Sequence, residues 1–119
     1  MMNLQGLQAL GLDTDEGMAY CADDEDFYEE MLNEYVLLAQ EGLEDLERAC
    51  ASRDFDGYAM RVHTIKSTSR MIGAKEISGK ARQLEMSAKT GAVEMIPAAH
   101  ESFLDAYRTL LEGIRKNIG

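Results

Sequence analysis

The stretch FDGYAMRVHTIKSTSRMIG, residues 55–73, decides the fold. Apolar or small side chains recur in it every three or four residues, at Phe55, Tyr58, Val62, Ile65, Ser69 and Ile72. At about 100° per residue, that spacing aligns these side chains on one side of a helix. We therefore predict an amphipathic helix that begins at residues 52–54, buries this stripe in a core and ends at Gly73.

Two helices are predicted before this segment. Residues 13–16 have the composition of a helix start, with Thr14 as the expected N-cap, and lead into a short helix through Tyr20. The acidic run at residues 23–26 begins a long amphipathic helix that extends to Cys50. The residues that recur at three- and four-residue spacing, and so predict its inward stripe, are Phe27, Met31, Glu34-Tyr35, Leu38, Gly42, Leu46 and Ala49.

Two more long helices are predicted after this segment, at about residues 74–90 and 93–117, with Pro97 in the first turn of the last one. Four long helices joined by short turns predict an all-α fold, an antiparallel up-and-down four-helix bundle with a short additional N-terminal helix. We expect the whole chain to form a single domain. Residues 1–22 would be an N-terminal lid segment, and about residues 24–118 would be the bundle.

The composition fits one small helical domain. The chain has 119 residues, a single proline, no tryptophan and 45% hydrophobic side chains. No apolar run reaches the roughly 18 residues that a membrane span needs, and the first residues lack the basic flank and apolar stretch of a signal peptide. We therefore expect a cytoplasmic protein that makes no membrane contact and, because its core is closed, is a monomer.

The charge is unevenly distributed along the chain. The net charge is −10 in total, with −14 in residues 1–60, +5 in residues 61–90 and −1 in residues 91–119. This acidity argues against nucleic acid or an anionic membrane as the partner. The basic middle segment could instead hold one anionic group or meet an acidic partner, or it could form ion pairs with the acidic helices of its own bundle. Its bases are Arg61, Lys66, Arg70, Lys75, Lys80, Arg82 and Lys89.

Metal sites and the common catalytic motifs have little support. Cys21 and Cys50 form no C-x-x-C pair, so free thiols are expected rather than a disulfide or a zinc site. Asp13 and Asp15 precede Gly17, but a calcium loop needs glycine at its sixth position and Glu at its twelfth. No Ser-His-Asp arrangement, phosphate-binding Gly-rich loop or H-E-x-x-H motif is present. We expect no metal, no cofactor and no ATP site, which argues against an enzyme such as a metal-assisted hydrolase.

His63 is the candidate reactive side chain. It falls roughly 130° from the centre of the inward stripe and is expected to be exposed. Neutral imidazole is a competent nucleophile near pH 7, and a phosphoryl group on His63 would be within reach of Lys66 or Arg70. An ordinary exposed histidine is the alternative, and His100 beside the last helix's apolar stripe is expected to be a packing histidine. The outer-face neighbours of His63 are Ala59, Met60, Ser67 and Arg70, with Lys66 at the flank.

A longer pattern around His63 resembles a known family. Residues 63–74, HTIKSTSRMIGA, are similar to the H-x-x-K-G signature and later G-A of histidine-containing phosphotransfer (HPt) domains. Leu84-Glu85 resembles the L-E of the family's next helix, and residues 11–13 and 27–32 resemble its opening. The resemblance spans about residues 10–91, and a signature in this order on the outer face of a helix is specific.

The resemblance implies a phosphorelay intermediate. His63 would accept a phosphoryl group from the aspartate of a receiver domain and pass it to another receiver, and Lys66 would contact the phosphoryl oxygens. Gly73 would end the helix, and the partner receiver would supply Mg²⁺. The implied partners are response-regulator receiver domains and a hybrid sensor histidine kinase, which would dock over Ala59, Met60, Ser67 and Arg70. Ser67 departs from the family, which more often has glycine there.

Two other functions remain open from the sequence. One is a helical adaptor whose amphipathic faces bind partner helices, with His63 incidental to binding. The other is the phosphoacceptor domain of a chemotaxis-type histidine kinase, which shares the H-x-x-K-G pattern. Phosphorylation of His63 separates the adaptor from the two phosphoacceptors.

Overall fold

The fold is all-α, as predicted. The computed structural model describes residues 2–119, which contain no strand. Within that range, no helix is long and apolar enough to cross a membrane. The helices are α1 (Leu4–Ala9), α2 (Thr14–Tyr20), α3 (Glu25–Ala51), α4 (Phe55–Met71), α5 (Lys75–Thr90) and α6 (Ile96–Asn117), and a 3₁₀ turn at Val93–Met95 precedes α6.

Helices α3 to α6 form the predicted antiparallel bundle. The Tyr35 and Ser69 hydroxyls are 2.6 Å apart, whereas Asp45, further along α3, pairs with Arg61, nearer the start of α4. This opposite order of contacts shows that α3 and α4 run antiparallel. The core between the helices includes Tyr28, Leu32, Leu46, Tyr58, Val62, Ile72, Phe103 and Ile114, all of which are fully or almost fully buried.

The inward stripe of α3 differs from the predicted one. Phe27 and Leu38 are 46% and 57% exposed, and Tyr28 is buried in place of Phe27. The Tyr28 hydroxyl donates a hydrogen bond to the Ile72 carbonyl oxygen at 2.8 Å, which turns this side of α3 toward α4. The buried residues of α3 are Tyr28, Leu32, Tyr35, Ala39, Leu43, Leu46 and Ala49. The predicted stripe therefore begins one residue early, although it places Tyr35, Leu46 and Ala49 correctly.

The N-terminal segment contains two short helices where the sequence predicted one. Helix α1 was missed because it is only six residues long, too short to show a helical period. It is held to α6 by a hydrogen bond from the Asn3 amide to the Asn117 carbonyl oxygen at 2.7 Å, and its Leu7 is fully buried. The N-cap of α2 is Asp13, whose side chain accepts from the Glu16 amide, so the prediction of Thr14 as the cap was wrong by one residue.

Gly73 ends the helix that carries His63, as expected. Its φ is +86°, in the left-handed region, and its carbonyl oxygen accepts from the Asp13 amide at 2.9 Å. A Cβ on Gly73 would lie 2.1 Å from the Asp13 carbonyl oxygen. The N-terminal segment therefore packs directly on the turn between α4 and α5, and only glycine fits there.

Candidate functional site

The imidazole of His63 projects from the middle of α4, and its side chain is 55% exposed, as the periodicity predicted. Its Nδ1 lies 2.7 Å from Oε2 of Glu85 on α5. An ionised carboxylate can only accept, so Nδ1 carries the proton and donates to Glu85. In the neutral ring this tautomer leaves the lone pair on Nε2, the nitrogen that does not face Glu85.

Glu85 is a buried carboxylate with three donors. Its side chain is only 5% exposed, and in addition to His63 it accepts from Lys66 Nζ at Oε1, 2.7 Å, and from Lys89 Nζ at Oε2, 2.8 Å. Burial opposes ionisation, but the hydrogen bonds from Lys66, Lys89 and His63 outweigh it and lower the pKa of Glu85 to about 2. Glu85 is therefore a fixed negative charge at neutral pH.

The turn at Gly73 explains why Glu85 meets His63. Both side chains are eleven residues from Ala74, so an antiparallel pair of helices places them opposite each other. The Ser78 hydroxyl donates to the Lys66 carbonyl oxygen at 2.9 Å and fixes the register of α5 on α4. The sequence pattern includes Glu85 in the family resemblance, but it assigns this residue no role. The equal separation of Glu85 and His63 from the turn was the signal that could have identified the pair.

The other predicted site residues differ in their exposure to solvent and in their contacts. Lys66 is 28% exposed and its ammonium group is held by Glu85, whereas Ser67 and Arg70 are exposed and make no side-chain hydrogen bond or ion pair within residues 2–119. Met60 is 72% exposed. The prediction of Ala59 as part of the outer surface was wrong, because it is only 6% exposed. Ala59 lies one turn before His63, on the side of α4 that α5 covers.

A groove of about 500 Å³ lies beside His63. Ala59 and Ala88 are small and at least half-buried, so they leave this space between α4 and α5. The remaining lining side chains are Asp56, Met60, Thr64, Glu85 and Lys89. A second cleft of about 450 Å³ lies between residues 10–12, α5 and α6, but neither histidine lines it. The groove beside His63 is therefore the cavity that offers a nucleophile together with a cation.

Ion pairing accounts for most of the basic middle segment. Arg61 pairs with Asp45, and Lys75 pairs with both Asp13 and Glu16. Lys66 and Lys89 pair with Glu85. Arg70, Lys80 and Arg82 have no ion pair in the described part of the chain. Arg61 and Lys75 thus pair with the acidic part of the chain, as the salt-bridged alternative predicts, whereas Lys66 and Lys89 pair with a carboxylate of the basic segment itself.

The second histidine and the cysteines lie outside this site. His100 is buried, and its Nδ1 is 2.9 Å from the Tyr58 hydroxyl, which confirms the expected packing role. Burial lowers the pKa of His100 below its usual value. Cys21 is buried, Cys50 is half-buried, and both are free thiols. Within residues 2–119 no group of three His, Cys, Asp or Glu side chains is arranged to hold a metal ion.

Comparison with known proteins agrees with this geometry. The family model of the Hpt domain matches residues 30–117. The crystal structure of histidine-containing phosphotransfer protein B (HptB) from Pseudomonas aeruginosa PAO1 matches with a TM-score of 0.79 and 26% sequence identity, over 88% of this chain and 91% of that chain. No curated protein sequence matches the chain. The match over most of the bundle, together with the exposed histidine on α4, shows that the chain belongs to the Hpt family of histidine phosphotransfer domains, which act in two-component signalling relays.

Proposed function

We propose that His63 is the phosphoacceptor of this chain, which takes a phosphoryl group from a receiver-domain aspartate and passes it to another receiver. The observation that carries the proposal is the hydrogen bond from His63 Nδ1 to the buried Glu85 carboxylate on an otherwise exposed imidazole. That bond selects the tautomer with a free Nε2, the atom that a partner can reach. Family membership supports receiver domains as the partners.

Phosphoryl transfer requires little of the protein beyond positioning of the imidazole and stabilisation of the charge that develops on it. The Nε2 lone pair attacks phosphorus, the Nε2–P bond forms, the bond from phosphorus to the aspartate oxygen breaks, and the aspartate leaves as a carboxylate. The ring then carries a positive charge and still has its Nδ1 proton. Glu85 stabilises that charge through the hydrogen bond it already accepts, as the buried carboxylate does in hydrolase triads. The reverse step returns the phosphoryl group to a second aspartate.

The partner supplies what this chain lacks. Mg²⁺ would be held by the receiver, beside the aspartate that donates or accepts the phosphoryl group. The chain is thus a carrier without an ATP site of its own. Met60, Ser67 and Arg70 form the exposed docking surface around His63 in this proposal, and Arg70 would face the acidic site of the receiver.

The proposal extends to the domain organisation, the oligomeric state and the cellular location of the chain. One closed bundle with its N-terminal segment packed on it supports a single domain and a monomer, and a role between receiver domains suits the cytoplasm. A hybrid sensor histidine kinase is the proposed source of the phosphoryl group. Ser67, where the family more often has glycine, is exposed and small enough to leave Nε2 accessible to these partners.

Phosphorylation by a small donor tests the proposal without any partner. Phosphoramidate donates to Nε2 with release of ammonia, so intact mass should show one added phosphoryl group that is labile in acid. The group should be absent from His63→Gln and present in His100→Gln, because His100 is buried. A wild-type chain that stays unmodified while another Hpt domain is labelled would overturn the proposal and favour the helical adaptor.

A further inference from the structure

Lys89 shares one carboxylate oxygen with the reactive imidazole. Its Nζ is 2.8 Å from Oε2 of Glu85, and the His63 Nδ1 is 2.7 Å from that same oxygen. The ammonium group and the imidazole are therefore at most about 5.5 Å apart. The Lys89 side chain is 62% exposed, so it can move without disturbing the core.

The two lysines of the cluster differ in their access to the groove. Lys89 lines the cavity of about 500 Å³ beside His63, together with Ala59, Met60 and Ala88, whereas Lys66 does not line it. Lys66 contacts the other carboxylate oxygen of Glu85, Oε1, and is only 28% exposed. A phosphoryl group on Nε2 that occupied this groove would meet Lys89 as its cation.

We propose that Lys89 binds the phosphoryl group on His63, and that Lys66 is a positioning residue that acts on His63 through Glu85. The inference rests on the proposed function and assigns the two cations of that site different roles. When the phosphoryl group forms, Lys89 exchanges Oε2 of Glu85 for a phosphoryl oxygen. Lys66 stays on Oε1 and keeps the carboxylate facing the imidazole.

This exchange of partners is favourable for the transfer. In the resting site His63 and Lys89 both donate to Oε2 of Glu85. Each donor therefore weakens the hydrogen bond that the other makes with this oxygen. Departure of Lys89 leaves Oε2 to the Nδ1 proton at the moment when the ring becomes positive. The dianionic phosphoryl group gains a charge-assisted hydrogen bond from an ammonium group already in the groove. Asp56 also lines the groove, so Lys89 offsets an unfavourable negative charge there.

Lys89→Gln and Lys66→Gln separate the two roles, and Lys80→Gln is the matched control. Lys80 lies on the same helix and carries the same charge, but it lines a different cavity, beside Leu84 and Phe103. Each variant is phosphorylated with phosphoramidate, and the ³¹P signal of the phosphohistidine is followed against pH. The rate of phosphorylation is measured in parallel by intact mass.

A cation in contact with the phosphoryl group favours its fully ionised form. Lys89→Gln should raise the pH midpoint of the ³¹P signal by about half a unit or more and slow phosphorylation about fivefold, whereas Lys89→Arg should restore both. Lys66→Gln should slow phosphorylation without moving the midpoint, and Lys80→Gln should change neither.

The proposal is overturned if Lys89→Gln leaves the midpoint at its wild-type value, or if Lys66→Gln moves it further than Lys89→Gln does. The first result would show that Lys89 does not contact the phosphoryl group, and the second would assign the contact to Lys66. These outcomes differ from failure of the proposed function, in which the wild-type chain would carry no phosphoryl group on His63 and would give no phosphohistidine signal.

Discussion

Glu85 organises the candidate site around His63 because it is one buried charge with three donors. A buried carboxylate is costly unless it is paired, and here both oxygens are occupied by ammonium or imidazole groups. The resulting cluster holds the His63 ring in one tautomer before any partner arrives. Preorganisation of this kind removes the need to reorient the ring during transfer.

Glu85→Gln should slow phosphorylation of His63 by phosphoramidate by about tenfold or more, since a neutral amide replaces a charged acceptor. The amide oxygen can still accept from Nδ1, but it cannot balance the positive charge that develops on the ring. The rate is measured by intact mass against time.

Glu76→Gln is the matched control for this change. Glu76 lies in the first turn of the same helix, is exposed and has no ion pair within residues 2–119. Its rate should equal that of the wild-type chain, and circular dichroism should show that both variants are folded. Equal rates for Glu85→Gln and the wild type would remove Glu85 from the mechanism.

The turn between α4 and α5 aligns the two halves of the site. Gly73→Ala should destabilise the fold by about 2 to 4 kcal/mol, because a Cβ would be strained at φ +86° and would meet the Asp13 carbonyl oxygen. Urea denaturation followed by circular dichroism measures the free energy of unfolding.

Substitutions at two other glycines separate the backbone strain of Gly73→Ala from its steric contact with Asp13. Gly91 has φ +81°, but a Cβ added to it would have no neighbour within 4 Å, so Gly91→Ala should cost only the backbone strain, about 1 kcal/mol. Gly79 lies inside α5 in open space, so Gly79→Ala should stabilise the fold by about 0.5 to 1 kcal/mol. If Gly73→Ala cost no more than Gly91→Ala, the close approach of Asp13 would have no energetic weight.

Helix periodicity predicted the long helices well and the short-range details poorly. Capping residues and glycines mark where α3, α4 and α5 begin or end, so these boundaries could be predicted to within about two residues. Helix α1 is too short to show a helical period; besides its Asn3 N-cap, it is stabilised by the Asn3 to Asn117 hydrogen bond and by burial of Leu7, which are tertiary contacts. The register of α3 depends on Tyr28, which is set by the distant Ile72 carbonyl.

In the candidate site, too, the features set by local sequence could be predicted, and those set by tertiary contacts could not. His63 and its exposure could be predicted from its angle to the inward stripe of α4, because that property is local. The burial of Ala59 and the contact of Lys66 with Glu85 depend on how α5 packs across α4, and no pattern within α4 contains that information. Tertiary contacts therefore decide which neighbours of His63 face solvent.

The charge asymmetry of the chain becomes a set of ion pairs when the molecule folds. The acidic N-terminal half supplies Asp13, Glu16 and Asp45 to bases of the middle segment. These pairs join the N-terminal segment and α3 to the two helices that carry the site. Three bases are left without an ion pair in the described residues, and one of them, Arg70, lies two turns after His63 on α4.

Acid should destabilise the protein in two steps as the pH falls. Burial lowers the pKa of His100, so the unfolded chain takes up this proton first and stability falls as pH drops below about 6.5. Glu85 has a folded pKa of about 2 against a usual 4.5, so its contribution is complete above pH 4.5 and is lost as pH falls toward 2. The free energy of unfolding, measured by urea denaturation, should therefore begin to decline as the pH falls below about 6.5, before the contribution of Glu85 is lost.

Two substitutions test the assignment of the first decline to His100. His100→Gln cannot take up the proton, so its free energy of unfolding should be nearly flat from about pH 6.5 down to about 4.5, where the loss of the Glu85 contribution begins. Tyr58→Phe removes the hydrogen bond to Nδ1 but leaves the ring buried among the same helices, so the decline should persist. Burial of His100 is then the cause of the acid sensitivity, and a decline that survives in His100→Gln would assign it to another group.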